Sequence, residues 1–318
     1  MEELFKGLTL RHPTIEDAEA VHVLLTVREI ANHGEPDDSL EDVLAEWRDI
    51  NLDEDACQVY AQENLVGYAA VSEENEGYFF DWYTHPDYTA EGLEAQLLAQ
   101  VEARAREKLA SKEGMEEARL WFFISEVDKA SKEAVQAASY QAHKYYFRMQ
   151  IHSQVEPSNS RWPEGSELRT IVPGEDDKKI YDFIYSEFDW EGRGSNQTII
   201  KWREFMMRAD HFVPELWFLL EQKDEIIAAA LCYDYPENGW VRQLAVKNSL
   251  RRQGIGTEML KHVFRMFYQR GQARVALVVD SGNPKAQNFY KNVGMYLERQ
   301  HIEYDKTITK PFDSEREK

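Results

Sequence analysis

Apolar and polar positions follow the same order twice along the chain, at a separation of about 150–162 residues. Leu10-Arg11 leads to Glu16-Asp17 and then to an amphipathic stretch, and Leu168-Arg169 leads in the same way to Glu175-Asp176 and a second one. Each copy predicts a strand, a turn that contains proline, and a helix that opens with acidic residues, which suit the positive end of the helix dipole. The chain is therefore predicted to contain one structural plan twice.

The rest of each copy alternates β-rich runs with longer amphipathic stretches. Two runs joined by a short polar turn predict a hairpin, and a further run is followed by a helix, a strand and a second helix. The predicted strands are 58–61, 65–71, 78–83 and 118–124 in the first copy, and 216–220, 226–233, 240–246, 273–279 and 296–304 in the second. This β-α-β-β-β-α-β-α-β order predicts an α/β fold of the α+β kind, in which each half forms a mixed, mostly antiparallel sheet flanked by helices.

A segment without periodicity separates the two copies. Residues 153–165 are rich in Pro, Ser and Gly, as linkers commonly are. A chain of 318 residues also favours two domains of roughly 150 residues each. The predicted boundaries are a first domain over 1–155, a linker over 156–166 and a second domain over 167–318.

Acidic residues are concentrated in the first copy. Residues 1–160 hold 13 Lys and Arg against 33 Asp and Glu, residues 161–318 hold 24 against 25, and the chain has a net charge of −21. This balance argues against a nucleic-acid partner, since phosphate binding needs a basic surface. The acidity predicts either a solvated surface or an electrostatic bias toward cationic substrates such as amines.

Cysteine usage and the N-terminus bear on metals and compartment. Cys57 and Cys232 lie in different copies and have no metal-ligand spacing, so we expect free thiols, no disulfide and no metal. The acidic N-terminus does not resemble a signal peptide, and no apolar run approaches the ~18 residues that a membrane span needs. We expect a cytoplasmic protein without a membrane partner.

The strongest chemical signal is a glycine-containing turn between a strand and a helix. The strand Leu244-Ala245-Val246 is followed by the segment Arg251–Gly256, here called the glycine loop, and by an amphipathic helix. Glycine lets the backbone approach a phosphate closely, and the first helical N–H groups point along the favourable dipole. Arg251 and Arg252 can add charge-assisted hydrogen bonds. Alone, a Gly-x-Gly turn of this kind also occurs in ordinary strand-to-helix connections.

The loop resembles the coenzyme A loop of the GCN5-related N-acetyltransferases (GNAT), whose pattern Gln/Arg-x-x-Gly-x-Gly/Ala is matched by Arg251, Gly254 and Gly256. A second stretch begins at Asn283, includes Phe289-Tyr290, and is similar to the family signature Asn-x-x-Ala-x-x-Phe-Tyr-x-x-x-Gly-Phe. The two signatures occur in the family's order and cover the C-terminal half. The resemblance implies two tandem GNAT-type domains.

The resemblance implies acetyl-coenzyme A as a co-substrate. The strand Leu244-Ala245-Val246 would pair with the pantetheine arm, and the Asn283 side chain would contact the cofactor. Tyr290 would protonate the departing thiolate as general acid; the alternative is a core tyrosine on an apolar helix face. The pyrophosphate would be held by the backbone N–H groups of Arg252, Gln253, Gly254, Ile255, Gly256 and Thr257.

The sequence leaves the general base open. Asp234 and Glu237 lie between two predicted strands and are candidates, as is Glu303, although each could be a solvated loop or edge carboxylate. The layout of the whole chain resembles tandem acetyltransferases such as mycothiol synthase. Trp240 stands where that group carries its catalytic glutamate, which argues against mycothiol chemistry here.

The first copy departs from the family pattern in its own loop. Aligned on the glycines, the positions of Arg251, Arg252 and Gly256 are taken by Thr89, Ala90 and Glu94. A carboxylate aimed at a pyrophosphate would cost on the order of 1 kcal/mol even in water. Tyr140 aligns with the general acid, but Lys144 replaces the glycine that should follow it. We predict a degenerate first domain that binds no cofactor and supports the second.

The predicted function is direct transfer of an acetyl group from acetyl-coenzyme A to a primary amine, at one site per chain. A small-molecule amine is the expected acceptor, and the protein is expected to be a monomer or homodimer. Two alternatives stay open: a coenzyme A-binding sensor or scaffold without turnover, and a protein N-terminal or lysine acetyltransferase.

Overall fold

The structure is a computed structural model that describes residues 2–5, 7–36, 38–74, 77–188, 198–207 and 211–310. The chain divides into two compact units. The first unit contains the chain up to Tyr146 together with the segment that starts at Arg299, and the second unit runs from Phe147 to Glu298.

The first unit is a mixed sheet with helices packed against it. Its strands are β1 (Glu2–Phe5), β2 (Leu8–Arg11), β3 (Ala56–Ala61), β4 (Asn64–Glu74), β5 (Gly77–Thr84), β6 (Glu117–Ser125) and the start of β7 (Gln141–His152). Its helices are α1 (Ala18–His33), α2 (Leu40–Trp47), α3 (Leu52–Asp55), α4 (Leu93–Ser111) and α5 (Lys129–Ala137). The strands from β1 to β6 are neighbours in chain order, and all these pairs are antiparallel except β5 with β6.

The second unit repeats this plan. Its strands are β8 (Ser166–Thr170), β9 (Phe212–Gln222), β10 (Glu225–Asp234), β11 (Gly239–Val246) and β12 (Arg274–Asp280), in the sheet order β7-β12-β11-β10-β9-β8. Its helices are α6 (Asp177–Glu187), α7 (Ile199–Met207), α8 (Ile255–Gln269) and α9 (Pro284–Asn292). The pair β11 and β12 is parallel, and the pairs from β8 to β11 are antiparallel.

The predicted fold class is confirmed, and every predicted strand is present to within a few residues. The helices α2, α3 and α7 and the strands β1 and β7 have no counterpart among the predicted ranges. The last strand, β13 (Tyr296–Thr309), shows the main difference in organisation, because its residues from His301 to Thr309 pair with Ser125 to Glu117 of β6. This pairing satisfies the backbone groups along β6, and the last strand therefore belongs to the first unit rather than to the chain half that carries it.

Helices cover both faces of the sheet in the second unit. α8 presents apolar residues at helical spacing, with Met259 and Phe267 fully buried in the cluster on its face of the sheet. On the other face, α6 and α7 bury Ile184 and Trp202 against Trp217 of β9. Each such side chain stabilises the fold by ~1.5–3 kcal/mol, so both faces of the strands that hold the site are fixed by packing.

The predicted linker packs against α8. Ser160 Oγ donates to the carbonyl of Glu258 at 2.7 Å, and the Arg161 N–H donates to the Glu258 carboxylate at 2.8 Å. The Trp162 ring contacts the edge of His262, whose pKa burial lowers to about 4. This segment has no helix or strand, yet it lies along the second unit through specific contacts.

The described residues lack two features. No helix among them is long and apolar enough to span a membrane. They also contain no group of three or more His, Cys, Asp or Glu side chains arranged to hold a metal ion.

Candidate active site

Strands β11 and β12 are paired only at their first residues. Gly239 pairs with Val275 and Trp240 with Ala276, and within the described part of the chain no later residue of β11 pairs with β12. The two strands therefore diverge, and among the described residues the β12-facing edge of β11 has no strand partner beyond Trp240, although the Val246 carbonyl accepts a hydrogen bond from Arg251. Such an edge can hydrogen-bond an extended ligand in the manner of an added strand.

A bulge in β11 lies at the start of this divergence. Leu231 of β10 pairs with Gln243, whereas the next residue, Cys232, pairs with Val241, which leaves Arg242 as the extra residue. A bulge bends its strand and increases the local twist. The bulge thus gives a local cause for the separation of β11 from β12.

The glycine loop joins β11 to α8 through a short 3-10 turn (Asn248–Leu250). Arg252 and Gly254 have φ angles of +64° and +86°, and Gly254 is the N-cap of α8. A Cβ at Gly254 would meet no atom within 4 Å, so the left-handed backbone is what favours glycine there. At Gly256, by contrast, a Cβ would lie 3.2 Å from Cζ of Phe289. The result is an open helix N-terminus whose backbone N–H groups suit an anion.

Arg251 is tied to the neighbouring backbone by hydrogen bonds, although 45% of its side chain is exposed. Its Nε donates to the Val246 carbonyl at 2.9 Å, and its Nη2 donates to the Glu187 carbonyl at 2.6 Å and contacts the Glu187 carboxylate at 3.2 Å. The same carboxylate accepts the Asn248 N–H at 2.7 Å. We call these contacts the Glu187 clamp. Arg252 is exposed and its side chain has no contact among the described residues, so it is the arginine available to an anion.

The strand before the loop presents its side chains to both faces of the sheet. Leu244 and Val246 contact the cluster under α8, whereas Ala245 is buried under α6 and α7. At the start of α8, Ile255 is buried, and Gln253 is exposed at the loop surface. The structure therefore brings the predicted backbone segments 244–246 and 252–257 together at one end of β11.

Asn283 and Tyr290 belong to α9, beyond the diverging strand β12. Asn283 is the N-cap of this helix, and its Oδ1 accepts the Ala286 N–H at 3.0 Å. Tyr290 is partly buried against the α8 cluster, beside the ring of Phe289 at 5.2 Å between centroids. Burial raises the pKa of Tyr290 to about 12, so its hydroxyl keeps its proton at neutral pH.

The structure does not bring the two loop carboxylates to the glycine loop. Asp234 accepts from Arg270 at 2.7 Å, and Arg270 follows the last residue of α8. The glycine loop lies at the other end of this helix, which is roughly 22 Å long at 1.5 Å per residue. Glu237 is exposed in the turn between β10 and β11, also at the end of β11 away from the loop.

Glu303 lies in the first unit. Its carboxylate pairs with Arg119 of β6 and accepts from the Tyr146 hydroxyl at 2.8 Å. It is buried among these partners and serves the packing of β13 on β6.

The corresponding site of the first unit has the divergence without the bulge. β5 pairs with β6 only from Gly77 to Phe79, but its register with β4 is unbroken. Gly92, with φ of +76°, caps α4 as Gly254 caps α8. The side chain of Glu94 points inward and accepts from Thr84 Oγ1 at 2.9 Å. Burial raises the pKa of Glu94, and this hydrogen bond opposes the shift.

A buried ion pair fills the neighbouring space in the first unit. Arg28 of α1 donates to Asp128 Oδ2 at 2.5 and 3.1 Å, and the charge of Arg28 also acts on Glu94. Asp128 is the N-cap of α5, the position that Asn283 takes in α9. The loss of cofactor binding in the first unit stays a prediction, and this ion pair is a second difference between the two units beside the altered loop.

The alignment of Tyr140 with Tyr290 is wrong. Counted from the N-caps Asp128 and Asn283, the residue equivalent to Tyr290 is Val135. The backbone agrees, because the Tyr140 N–H donates to the Val135 carbonyl just as the Met295 N–H donates to the Tyr290 carbonyl. Tyr140 is instead a core residue whose hydroxyl donates to Glu102 at 3.1 Å. The sequence alignment placed Tyr140 opposite Tyr290 because α5 itself contains no aromatic residue that could be aligned instead.

Sequence reasoning missed Glu187. It lies at the C-terminal end of α6, just beyond the buried Ile184, where an acidic residue opposes the helix dipole. That unfavourable placement is the one signal in the sequence that a cationic partner, here Arg251, should be nearby.

Comparisons with known proteins agree with this geometry. The sequence profile described as Acetyltransferase (GNAT) family matches residues 24–124 and 178–295. Mycothiol acetyltransferase of Saccharomonospora viridis is 24% identical over 257 residues, which cover 77% of this chain and 80% of that protein.

Two solved structures extend the similarity to nearly the whole chain. A GCN5-related N-acetyltransferase from Sphaerobacter thermophilus superposes with a TM-score of 0.82 at 26% identity, covering 98% of this chain and 99% of that one. A tandem GNAT protein from the clavulanic acid biosynthesis pathway has a TM-score of 0.73 at 14% identity, covering 94% and 98%. Because the family profile matches both repeats and more than half of the residues, the chain is an acyltransferase with tandem domains that belongs to the acetyltransferase (GNAT) family.

Proposed function

We propose that the second unit binds acetyl-coenzyme A and transfers its acetyl group to a primary amine of a small molecule. One observation carries the proposal: the bulged, diverging end of β11 leads directly into the open helix N-terminus at Gly254. An extended thioester arm fits the free edge of β11, and a pyrophosphate fits the N–H groups of the loop. The first unit also has a diverging strand and a glycine cap, but its strand β5 has no bulge and the Glu94 side chain lies at the start of α4.

The second unit's own residues account for cofactor binding. The backbone of Leu244–Val246 would pair with the pantetheine arm, and the N–H groups from Arg252 to Thr257 would hold the pyrophosphate, with added charge from Arg252. Because Gly256 has no side chain, the Phe289 ring can pack close to the loop. Acetyl-coenzyme A would supply the acetyl group as a thioester.

Tyr290 would act as the general acid. When the amine nitrogen attacks the thioester carbonyl and the C–S bond breaks, the tyrosine hydroxyl stabilises the leaving thiolate by donating its proton toward sulfur. Its raised pKa keeps that proton in place across the physiological range. Asp234 is paired with Arg270, and Glu237 is exposed at the end of β11 away from the loop, so the amine proton would leave through solvent.

The acceptor is proposed from chemistry and from one relative. Mycothiol acetyltransferase is, by its name, an enzyme that acts on a small molecule, and it resembles most of this chain. Trp240 occupies the position at which the resemblance to mycothiol synthase implies a catalytic glutamate, so we propose a small amine without naming mycothiol as the acceptor.

Calorimetric titration with acetyl-coenzyme A tests the proposal. We expect one site per chain, lost in Gly254→Val and kept in Gly92→Val. The two glycines are matched, because each caps a long helix with positive φ and neither has an atom within 4 Å of its added Cβ. Two sites of similar affinity, or equal effects of the two substitutions, would contradict it.

A further inference from the structure

The bulge of β11 places two polar side chains on the α6 and α7 face of the second sheet. The Arg242 guanidinium lies over the ring of Phe205 in α7, with its Cζ 5.3 Å from the ring centroid. This stacking fixes the direction of the side chain while leaving it exposed. Among the described residues Arg242 has no ion pair and no side-chain hydrogen bond. A cation that is held in position and has no counter-charge in this part of the chain is suited to recognise an anion.

Gln243 follows on the same face. Leu244 contacts the cluster under α8, and side chains alternate along a strand, so Gln243 faces α6 and α7 together with Ala245. Its Oε1 is buried and accepts no hydrogen bond within the described structure. Such an atom loses about 1–3 kcal/mol relative to one with a partner, and an N–H donor from a ligand would remove that penalty.

This face is where an acceptor must approach. The glycine loop begins α8, and Tyr290 packs against the α8 cluster, so both lie on the α8 and α9 face. A second substrate therefore reaches the diverging edge of β11 from the opposite face. Arg242 and Gln243 stand at the start of that divergence.

The first unit provides an internal contrast at the same two positions. Phe80 and Asp81 stand where Arg242 and Gln243 do, and Phe80 is buried in the core under α4. β5 has no bulge, so this core packing is uninterrupted. The exposed arginine at the first of these positions is thus specific to the bulged strand, whereas the second position is polar in both units.

We infer that Arg242 and Gln243 form the acceptor subsite, and that the acceptor is a primary amine carrying a carboxylate or a phosphate. After a change of its side-chain rotamer that exposes Oε1, Gln243 accepts a hydrogen bond from the amine nitrogen, and Arg242 pairs with the anionic group. This inference rests on the proposed acetyl transfer. It reverses the electrostatic expectation drawn from the acidic first half of the sequence.

Kinetics with matched amines test the inference. One arm compares α-amino acids with the amines that lack only the carboxylate, and the other compares phosphoethanolamine with ethanolamine. Wild-type protein should give a kcat/KM at least about ten-fold higher for the anionic member of one arm, since charged hydrogen bonds contribute on this scale. The arm that shows the preference identifies the anion. Arg242→Gln should reduce that preference to about two-fold or less.

Matched variants test whether Arg242 and Gln243, rather than other charges near α7, recognise the acceptor. Arg203→Gln removes a cation of α7 whose charge is already paired with Asp177, and it should leave the preference unchanged. Gln243→Leu should lower kcat/KM for every amine while the acetyl-coenzyme A affinity stays constant. Equal rates for both members of each pair, a preference that survives Arg242→Gln, or no transfer to any amine by protein that binds acetyl-coenzyme A would each overturn the subsite. If acetyl-coenzyme A itself does not bind, the proposed function fails, and the subsite with it.

Discussion

The two units carry residues of opposite charge at one equivalent position, which is Glu187 in α6 of the second unit and Arg28 in α1 of the first. Arg11 pairs with Asp17 in the first unit, as Arg169 does with Asp176 in the second, and these pairs align α1 with α6. Counted from the aspartates, the residue of α1 that corresponds to Glu187 is Arg28. Glu187 reaches outward to the glycine loop, whereas Arg28 turns inward to a buried carboxylate.

The difference shows how an anion site can be closed without leaving unpaired charge. In the second unit the positions 256 and 283 carry no charge, so an anion bound as proposed would meet the N–H groups of the loop and Arg252 without a nearby carboxylate at these two positions. In the first unit Glu94 and Asp128 bring negative charge to the equivalent positions, and Arg28 lies between them. Buried charges are stable only when paired, so the three residues depend on one another.

Breaking that buried set should have the largest effect. Arg28→Ala removes the partner of Asp128, which is 8% exposed, and we expect the free energy of unfolding to fall by about 3–5 kcal/mol. Denaturant titration measures this change. The double variant Arg28→Met, Asp128→Ser keeps a capping side chain on α5 and should recover most of the loss. A loss below about 1 kcal/mol for Arg28→Ala would mean that the pair is solvated and does not hold the first unit closed.

Copying the first loop into the second should come next. Gly256→Glu places a carboxylate beside the expected pyrophosphate and should weaken acetyl-coenzyme A binding by at least about 100-fold, as repulsion of several kcal/mol at low dielectric implies. Gly256→Gln is the matched control for volume, because both side chains press on Phe289. If the two variants bind equally, packing rather than charge decides the difference between the loops.

The fold followed from the sequence because its elements depend on local patterns. The hairpins and the helix after the glycine loop are set by alternation and by helical spacing, and these are visible in residues 216–246 and 259–267. The pairing of the last strand with β6 of the first unit could not be predicted, because nothing in Tyr296–Thr309 indicates which strand it pairs with. Pairing partners far apart in the chain leave no local signal.

The parts of the candidate site that depend on backbone conformation could be predicted, whereas those that depend on side-chain contacts could not. Gly254 could be found because a left-handed helix cap favours glycine. Asp234 could not be judged, since its partner Arg270 is 36 residues away. The contact between Arg251 and Glu187, which are 64 residues apart, was equally invisible in the sequence. Ion pairs between remote segments are fixed by tertiary packing alone.

Tyr290 offers a direct contrast with Tyr140. Tyr290→Phe should lower kcat by about 100-fold, the low end for general acid help, with little change in acetyl-coenzyme A affinity. Because burial raises the pKa of Tyr290 to about 12, loss of its proton should not reduce activity below about pH 11. Tyr140→Phe removes the hydrogen bond to Glu102 and should cost about 1 kcal/mol of stability without affecting kcat. Full activity with a lowered melting temperature in Tyr290→Phe would assign that residue to the core.

The smallest expected effect concerns the Glu187 clamp. Glu187→Gln keeps the shape of the side chain but weakens its hold on Arg251 and on the Asn248 N–H, so the loop is less well positioned. We expect the KM for acetyl-coenzyme A to rise by about three- to ten-fold with kcat unchanged, as loss of one partly exposed charged contact implies. Glu225→Gln is the control, since Glu225 pairs with Lys247 beside the same strand without touching the loop.

A double-mutant cycle decides how Arg251 acts. If Arg251 serves only to join the loop to Glu187, then Glu187→Gln and Arg251→Gln remove the same interaction, and the double variant should be no worse than Arg251→Gln alone. If the free-energy costs of the two substitutions add, so that their factors in KM multiply, Arg251 leaves the clamp and pairs with the pyrophosphate itself. That outcome would restore the role expected from the sequence and reduce Glu187 to a local helix contact.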